Sequence, residues 1–517
     1  MPAAPDPPAE GEGLRLGSGA GRWVLATTVL GSGMAFLDGT VVNVALPRMG
    51  EDLDASFAGL SWIANGYLVT LASLILVGGS VGDRLGRRRT YLGGAVAFAA
   101  ASLLCGLAPT VPLLVAARLL QGVAGAFLVP GSLALLQVSF HPDDRARAIG
   151  AWSGLAGITT AVGPFLGGWL VEVASWRWVF LLNLPLSVVV VVAGRRHLAE
   201  SRDETVVGRP DLAGAGLGAV GLAGSTYGLI EQSVVVGLAG LALLVAFVAV
   251  EARGRHPMVP LGVFRSRQFS GANGVTFAVY GALGGVLFLL SLVLQGALGY
   301  TPLAAGAATA PITLIMLVFS ARSGALARRV GPRLPMTLGP AIIAGGLALM
   351  ARIEVGGSYA GDVLPAVVVF AAGLALTVAP LTSTVLAAAD PGHAGLASGV
   401  NNAVARTAGL LAVAVLPLVA GFDASGEVGA AALVDGFHRA ALAGAALTLA
   451  GAAVAWVTIR ADVLVEAPPA PLPGPRAEGR RGAEPGSGGA EPCFSCGVGA
   501  PPQVVTPEVA APTPPSR

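Results

Sequence analysis

The 517-residue sequence contains no lysine; all 31 of its basic residues are arginine. A Walker-type phosphate loop needs a lysine on the β- and γ-phosphates, and Schiff-base chemistry needs a lysine amine. Both are therefore excluded, and any energy source must reach the protein by another route. Charge is scarce as well: Asp, Glu, Lys and Arg make up 12% of the chain, against about 25% in ordinary soluble proteins. That is too little to cover a water-soluble surface. The formal net charge of +2 is too small to suggest nucleic-acid binding, and three cysteines (Cys105, Cys493 and Cys496) do not make a disulfide framework.

What the sequence does have is apolar length. Hydrophobic residues make up 54% of it and fall into runs of about 20, the length an α-helix needs to cross a hydrocarbon core. Short alternating segments of the kind that build membrane barrels are not seen. The chain reads as an all-α membrane protein with fourteen candidate helices, the first starting near Trp23 and the last near Phe437. An even number puts both termini on one side. With the termini inside, eighteen arginines fall in inner loops and only Arg48, Arg177, Arg352 and Arg439 in outer ones. The positive-inside rule then predicts cytoplasmic termini.

Residues 1–22 lack the basic start and apolar run of a cleavable signal and read as a disordered cytoplasmic tail. Residues 461–517 carry 13 prolines among many glycines, which predicts a second disordered cytoplasmic tail. Within it, Cys493 and Cys496 have C-x-x-C spacing, but no second ligand pair accompanies them. No metal and no cofactor are expected.

The loop between the second and third spans, Gly79 to Arg89 (GSVGDRLGRRR), packs a carboxylate and four guanidiniums into one short turn. Arginines alone would be a positive-inside anchor, but Asp83 and the spaced glycines are left unexplained by that role. A degraded copy, GALARRVGPR, runs from Gly324 to Arg333 on another inner loop. Two related half-bundles would produce such a repeat, and internal repeats are common in secondary transporters.

Gly79 to Arg89 resembles the G-x-L-a-D-r-x-G-r-R/K signature of the major facilitator superfamily, with Val81 and Gly82 where Leu and Ala are usual. The resemblance implies a cytoplasmic latch built from Gly79, Asp83, Arg84, Gly86, Arg87 and Arg88. It also implies two six-helix bundles around a midplane cavity. These would be residues 23–195 and 256–460, with 196–255 as a linker carrying two inserted central helices.

Three charged residues remain inside apolar spans: Asp38, Arg118 and Arg406. At about 2.5–3.5 kcal/mol each near mid-membrane, such residues are rarely accidental. Asp38 lies about 22 Å along a helix that starts at the inner face, and Arg118 about 9 Å along one that starts at the outer face. In a membrane about 30 Å thick they share a depth, so they can pair or share a water-filled cavity. Either they form a purely structural ion pair, or Asp38 takes up and releases a proton while Arg118 tunes its pKa.

Both residues sit in longer patterns. Leu37 to Pro47 (LDGTVVNVALP) is similar to a segment of the fourteen-span drug:proton antiporters, the EmrB/QacA-like branch. Arg118 to Ala126 (RLLQGVAGA) resembles the fourth-span motif implicated in proton transfer. Gly163, Pro164, Gly167 and Gly168 (GPFLGG) resemble the fifth-span antiporter motif of exporters, and Trp176 to Pro185 fits the same branch. Ser398 to Thr407, which includes Asn402 and Arg406, fits it as well. The resemblance implies a proton-coupled exporter of small organic molecules in the plasma membrane, not an enzyme. A uniporter or importer of the same fold is the rival reading, and a non-transporting receptor a more distant one.

Polar or aromatic residues on apolar spans (Asn43, Asn65, Tyr67, Gln121, Tyr280 and Gln295) are candidates to line the cavity, with Asn402 and Arg406. The second half shows no mid-span carboxylate of the kind that takes divalent cationic drugs, which leaves a neutral or anionic substrate equally open. The expected partners are a small-molecule substrate, protons and the bilayer, with no nucleic acid and a monomeric chain.

Overall fold

The computed structural model of the protein describes residues 13–202, 211–254, 261–388, 394–422, 429–462 and 464. The described residues form α-helices and no named strand, the one β-bridge being Leu14 with Phe140. The first group of helices is α1 (Gly19–Leu53), α2 (Phe57–Leu85), α3 (Arg87–Leu107), α4 (Val111–Ser139), α5 (Pro142–Val173), α6 (Trp178–Leu181) and α7 (Asn183–His197). A hairpin follows, α8 (Leu212–Ile230) and α9 (Val234–Arg253). The second group is α10 (Arg267–Gly296), α11 (Pro302–Ala308), α12 (Ala310–Val330), α13 (Arg333–Met350), α14 (Leu364–Ala387), α15 (Ala394–Ala420) and α16 (Ala430–Thr458). The pairs α6/α7 and α11/α12 each act as one span.

Among the described residues thirteen helical stretches are long and apolar enough to cross a membrane. The fourteenth expected span is α5. It is present as a helix, whose first turns carry Asp143, Asp144, Arg145 and Arg147 and whose remaining residues, 148–173, carry Glu172 as their only charge.

Local sequence sets the helix ends. Ser18 and Ser56 cap α1 and α2 by accepting from the Gly21 and Gly59 amides at 3.0 and 3.2 Å. Pro112 and Pro302 stand in first turns, where a missing N–H costs nothing. Inside a bilayer the hydrophobic effect does not press helices together, so close packing of small residues must do it. α2 and α4 show this: a Cβ at Gly78 would overlap the Ala126 carbonyl, and one at Gly122 the Tyr67 carbonyl. The α8/α9 hairpin is zipped in the same way through Gly228, Gly237 and Gly240. Its outer face is apolar and open, with Val235 80% exposed, as suits a surface bathed in hydrocarbon.

The arginine-rich loops gather at one end of each helix group. The Leu14 amide donates to the Ser139 carbonyl at 2.8 Å, Arg88 to the Leu198 carbonyl at 3.1 Å, and Arg267 to the Val457 carbonyl at 3.0 Å. Residues 13–22 differ from the expected disordered tail. Leu14 bridges to Phe140, Arg15 pairs with Asp143 at 3.2 Å, and Gly19 already opens α1. The apolar Leu14 and Leu16 pack against buried neighbours, which repays the ordering of this short stretch. Residues 1–12, and the second expected tail apart from 461, 462 and 464, lie outside the described residues, as do Cys493 and Cys496.

Contacts between the two groups are prominent at the opposite end. The Ser291 hydroxyl donates to the Asn43 carbonyl at 2.8 Å and the Gln295 amide to the Val44 carbonyl at 2.9 Å. The Leu303 N–H donates to Glu172 at 3.2 Å, and Phe57 packs edge-on against Phe288 and Phe422 with ring centroids 5.9 and 4.7 Å apart. The α8/α9 turn joins in. Trp62 Nε1 donates to Glu231 at 2.8 Å, and Gln232 Nε2 to the Phe422 carbonyl at 3.1 Å.

Candidate functional site

Arg118 and Gln121 are three residues apart on α4, so they share the helix face turned toward Asp38 of α1. Arg118 Nη1 donates to Asp38 Oδ2 in a direct ion pair. Gln121 Nε2 donates to Asp38 Oδ1 at 2.8 Å, while its Oε1 accepts from the same Arg118 nitrogen at 2.7 Å. Arg118 Nε reaches the Ile63 carbonyl of α2 at 3.0 Å. Around this core, Ser102 of α3 accepts from Gln121 at 2.9 Å and from Asn183 of α7 at 3.2 Å. The guanidinium lies 4.8 Å from the ring centre of Tyr67 and 5.7 Å from that of Phe180. Asp38 and Arg118 are each 1% exposed and Gln121 is fully buried.

Two charges removed from water are tolerable only when geometry and extra hydrogen bonds offset their desolvation. Here both carboxylate oxygens are bonded and the guanidinium has two further acceptors. Sequence depth alone predicted that Asp38 and Arg118 could meet, and the structure joins them directly. It places Gln121 and Tyr67 differently from expectation. Both are built into this network, Tyr67 also donating to the Ala35 carbonyl at 3.1 Å, so neither faces an open cavity. Sequence reasoning missed as neighbours Ser102, Asn183 and Cys105, whose thiol donates to Gln121 Oε1 at 3.7 Å. Small uncharged polar groups inside the runs of α3 and α7 were the only signal.

The remaining cavity candidates scatter. Asn65 is fully buried and neither of its amide atoms has a hydrogen-bond partner among the described residues. Asn43 and Gln295 lie in the seam between the helix groups. The Asn402 amide turns back to the Ser398 carbonyl at 3.1 Å, and Tyr280 is half-buried on α10. Arg406 is half-buried with its guanidinium 5.2 Å from the Phe36 ring centre, and it has no ion-pair partner among the described residues.

In the loop between α2 and α3, Arg87 Nε donates to Asp83 Oδ1 at 2.8 Å, and Arg84 bonds Ser80. Both ends of the Asp83 pair thus belong to the same helix group. Gly86, with φ +115°, ends α2 and begins α3 and offers no side-chain cap. Glu200, arriving after α7, supplies the missing cap by accepting from the Arg88 and Arg89 amides at 3.1 and 3.2 Å. A Cβ at Gly86 would sit 2.6 Å from Glu200 Oε1. Gly86→Ala is therefore expected to combine backbone strain with loss of this cap, lowering stability by about 1–3 kcal/mol. A thermal unfolding shift of purified protein in detergent checks it, with Gly93→Ala, where a Cβ meets open space, as the neutral control.

Gly163, Pro164, Gly167 and Gly168 line the face of α5 that meets α1 and α11. A Cβ at Gly163 would overlap Thr40 Oγ1, one at Gly167 would come within 3.0 Å of Val41, and one at Gly168 would overlap the Pro302 carbonyl. Gly306 of α11 returns the contact against the Pro164 carbonyl. Backbone thus meets backbone where the two helix groups close.

Paired groups of apolar helices, a seam of glycines and an ion network deep inside one group define a polytopic membrane transporter. The chain belongs to the Major Facilitator Superfamily, whose model matches residues 28–414. It is 34% identical to the tetracenomycin C resistance and export protein of Streptomyces glaucescens, over 74% of this chain and 73% of that one. It is 35% identical to the multidrug resistance protein Stp of Mycobacterium tuberculosis, over 73% and 72%. Among solved structures, a bacterial homologue of the human lysosomal transporter Spinster, inward-facing and unoccupied, aligns with a TM-score of 0.63 at 16% identity. That match covers 85% of this chain and 97% of the other. A D-xylose–proton symporter aligns at 0.57 and 14% identity, over 85% and 98%.

Proposed function

We propose that this protein exports small organic compounds of the antibiotic or natural-product kind in exchange for protons, by alternating access. The observation that carries the reading is the sealed Asp38–Arg118–Gln121 network. In the arrangement described, Asp38 is held by a cation and shut off from water. Protonation neutralises the carboxylate, weakens the pair and frees Arg118, so proton uptake and helix movement become one event. The likeness to export and resistance proteins supports the outward direction of substrate movement.

In this reading residues 23–195 and 256–460 are the two moving bundles, and 196–255 carries the inserted pair. Both termini and the arginine-rich end face the cytoplasm of a monomer in the plasma membrane. The glycine seam closes the outer side. Asp83, now paired with Arg87, exchanges that partner for one on the other bundle when the cytoplasmic side closes. Arg406, half-buried and without a carboxylate partner among the described residues, favours a neutral or anionic substrate.

The test is a resistance panel in a pump-deficient host, followed by everted vesicles carrying the protein. Protection against neutral or anionic polycyclic compounds, with proton release on their addition, is the expected result. Substrate uptake that persists when the proton gradient is collapsed would reject coupling.

A further inference from the structure

A groove between α3 and α7 at the arginine-rich end has no part in the network or the seam. Its volume is about 490 Å³, and its walls bring Arg88, Arg89 and Arg195 together with Leu92, Gly93, Val96 and Val191. Two features of the sequence shape it. A Cβ at Gly194 would lie 2.6 Å from Leu92, so α7 approaches α3 closely there. At Gly93, by contrast, a Cβ would meet nothing within 4 Å, which leaves the channel beside α3 open.

The charges around it do not balance. Among the described residues Glu200 is the carboxylate that serves this cluster, and it is already shared: it takes the Arg88 and Arg89 amides and lies 3.9 and 3.6 Å from their guanidiniums. Arg88 also spends its Nη1 on the Leu198 carbonyl at 3.1 Å. Arg195 has no ion-pair partner among the described residues, and Arg89 keeps 69% of its side chain exposed. Among the described residues, three guanidiniums thus stand against one carboxylate. Directly below them the surface turns apolar, with Val96 53% and Val192 46% exposed.

Cationic forks above an apolar channel match one kind of molecule, a phosphate joined to a hydrocarbon tail. We propose that this groove binds an anionic phospholipid drawn from the leaflet at the arginine-rich end. The phosphate lies between Arg89 and Arg195, and an acyl chain runs along Leu92, Val96 and Val191 past the open side of Gly93. Guanidiniums suit this role because they present paired N–H groups to phosphate oxygens and stay charged at any physiological pH. Basic pockets at the membrane surface are an established way of selecting lipid headgroups. The site also reaches the α2/α3 loop, since Arg88 lies in its wall and Glu200 caps the same helix end.

Native mass spectrometry of delipidated protein in detergent tests this, with dioleoyl-phosphatidylglycerol, dioleoyl-phosphatidylcholine and glycerol phosphate as probes. Phosphatidylglycerol is expected to bind on the order of tenfold better than phosphatidylcholine. The double variant Arg89→Gln/Arg195→Gln is expected to lose that preference. Gly93→Leu, which leaves every charge in place and adds its side chain where there is room, is expected to weaken phosphatidylglycerol binding by blocking the acyl path. Size-exclusion profiles matching the wild type establish that both variants are folded, and Gly93→Leu carries the test if the double variant is not. Equal binding of the two lipids, or a preference unchanged in folded variants, would overturn the proposal. Displacement of phosphatidylglycerol by glycerol phosphate would overturn it too, by making the groove a site for soluble anions.

Discussion

Asp38→Asn is expected to abolish substrate-dependent proton release in everted vesicles while leaving insertion in the membrane intact. Asparagine preserves the shape and can keep the 2.8 Å contact with Gln121, but it leaves the Arg118 guanidinium buried without its counter-charge. Breaking a buried pair from one side costs about 3–5 kcal/mol. This arrangement should thus lose its advantage over others by a factor of roughly 150 to 5,000. Because asparagine imitates the protonated acid, substrate exchange in the absence of any gradient should outlast net transport. Proton release at the wild-type rate would show that Asp38 and Arg118 are only a structural pair. Asp38→Glu, which restores the charge on a longer stem, separates loss of titration from loss of packing.

The second large effect is expected at the seam. In Gly306→Val the new Cβ overlaps the Pro164 carbonyl, a backbone atom that no rotamer change can move aside. Overpacking of this kind costs about 1–3 kcal/mol, enough to shift the balance between closed and open seam by roughly 5- to 150-fold. A cysteine placed at Asn43, in a background lacking Cys105, Cys493 and Cys496, reports the shift as faster labelling by a water-soluble thiol reagent. Gly150→Val is the control, since a Cβ there meets open space. Labelling rates unchanged in Gly306→Val would mean that the glycine contact does not hold the two helix groups together.

The parts of this molecule legible in the sequence are those governed by length and by large desolvation energies. Helix rise makes depth in a membrane proportional to residue number, which is why Asp38 and Arg118 are seen to share a level before any contact is known. Charge in hydrocarbon is expensive, which marks the same two residues. Rotation about the helix axis is another matter. Gln121 and Tyr67 have the composition of cavity residues, and only the neighbouring helices decide that they turn into the bundle. Glu200 is also invisible from sequence, because its role depends on the chain returning from α7 to the start of α3. The same holds for residues 13–22, whose order comes from the 139–144 segment.

The turn of the α8/α9 hairpin constrains motion in a way that contact strengths alone do not reveal. Glu231 and Gln232 are neighbours in the chain, yet the first holds Trp62 of the first helix group and the second holds the carbonyl of Phe422, just after α15 of the second. Adjacent Cα atoms are about 3.8 Å apart and cannot be stretched. Once Trp62 and Phe422 separate by more than their side chains can follow, one bond must be released, and the hairpin then travels with whichever group it keeps. A symmetric opening is thereby made to choose a side. α8 and α9, which touch neither the ion network nor the seam glycines, would at each opening record which half of the protein had moved.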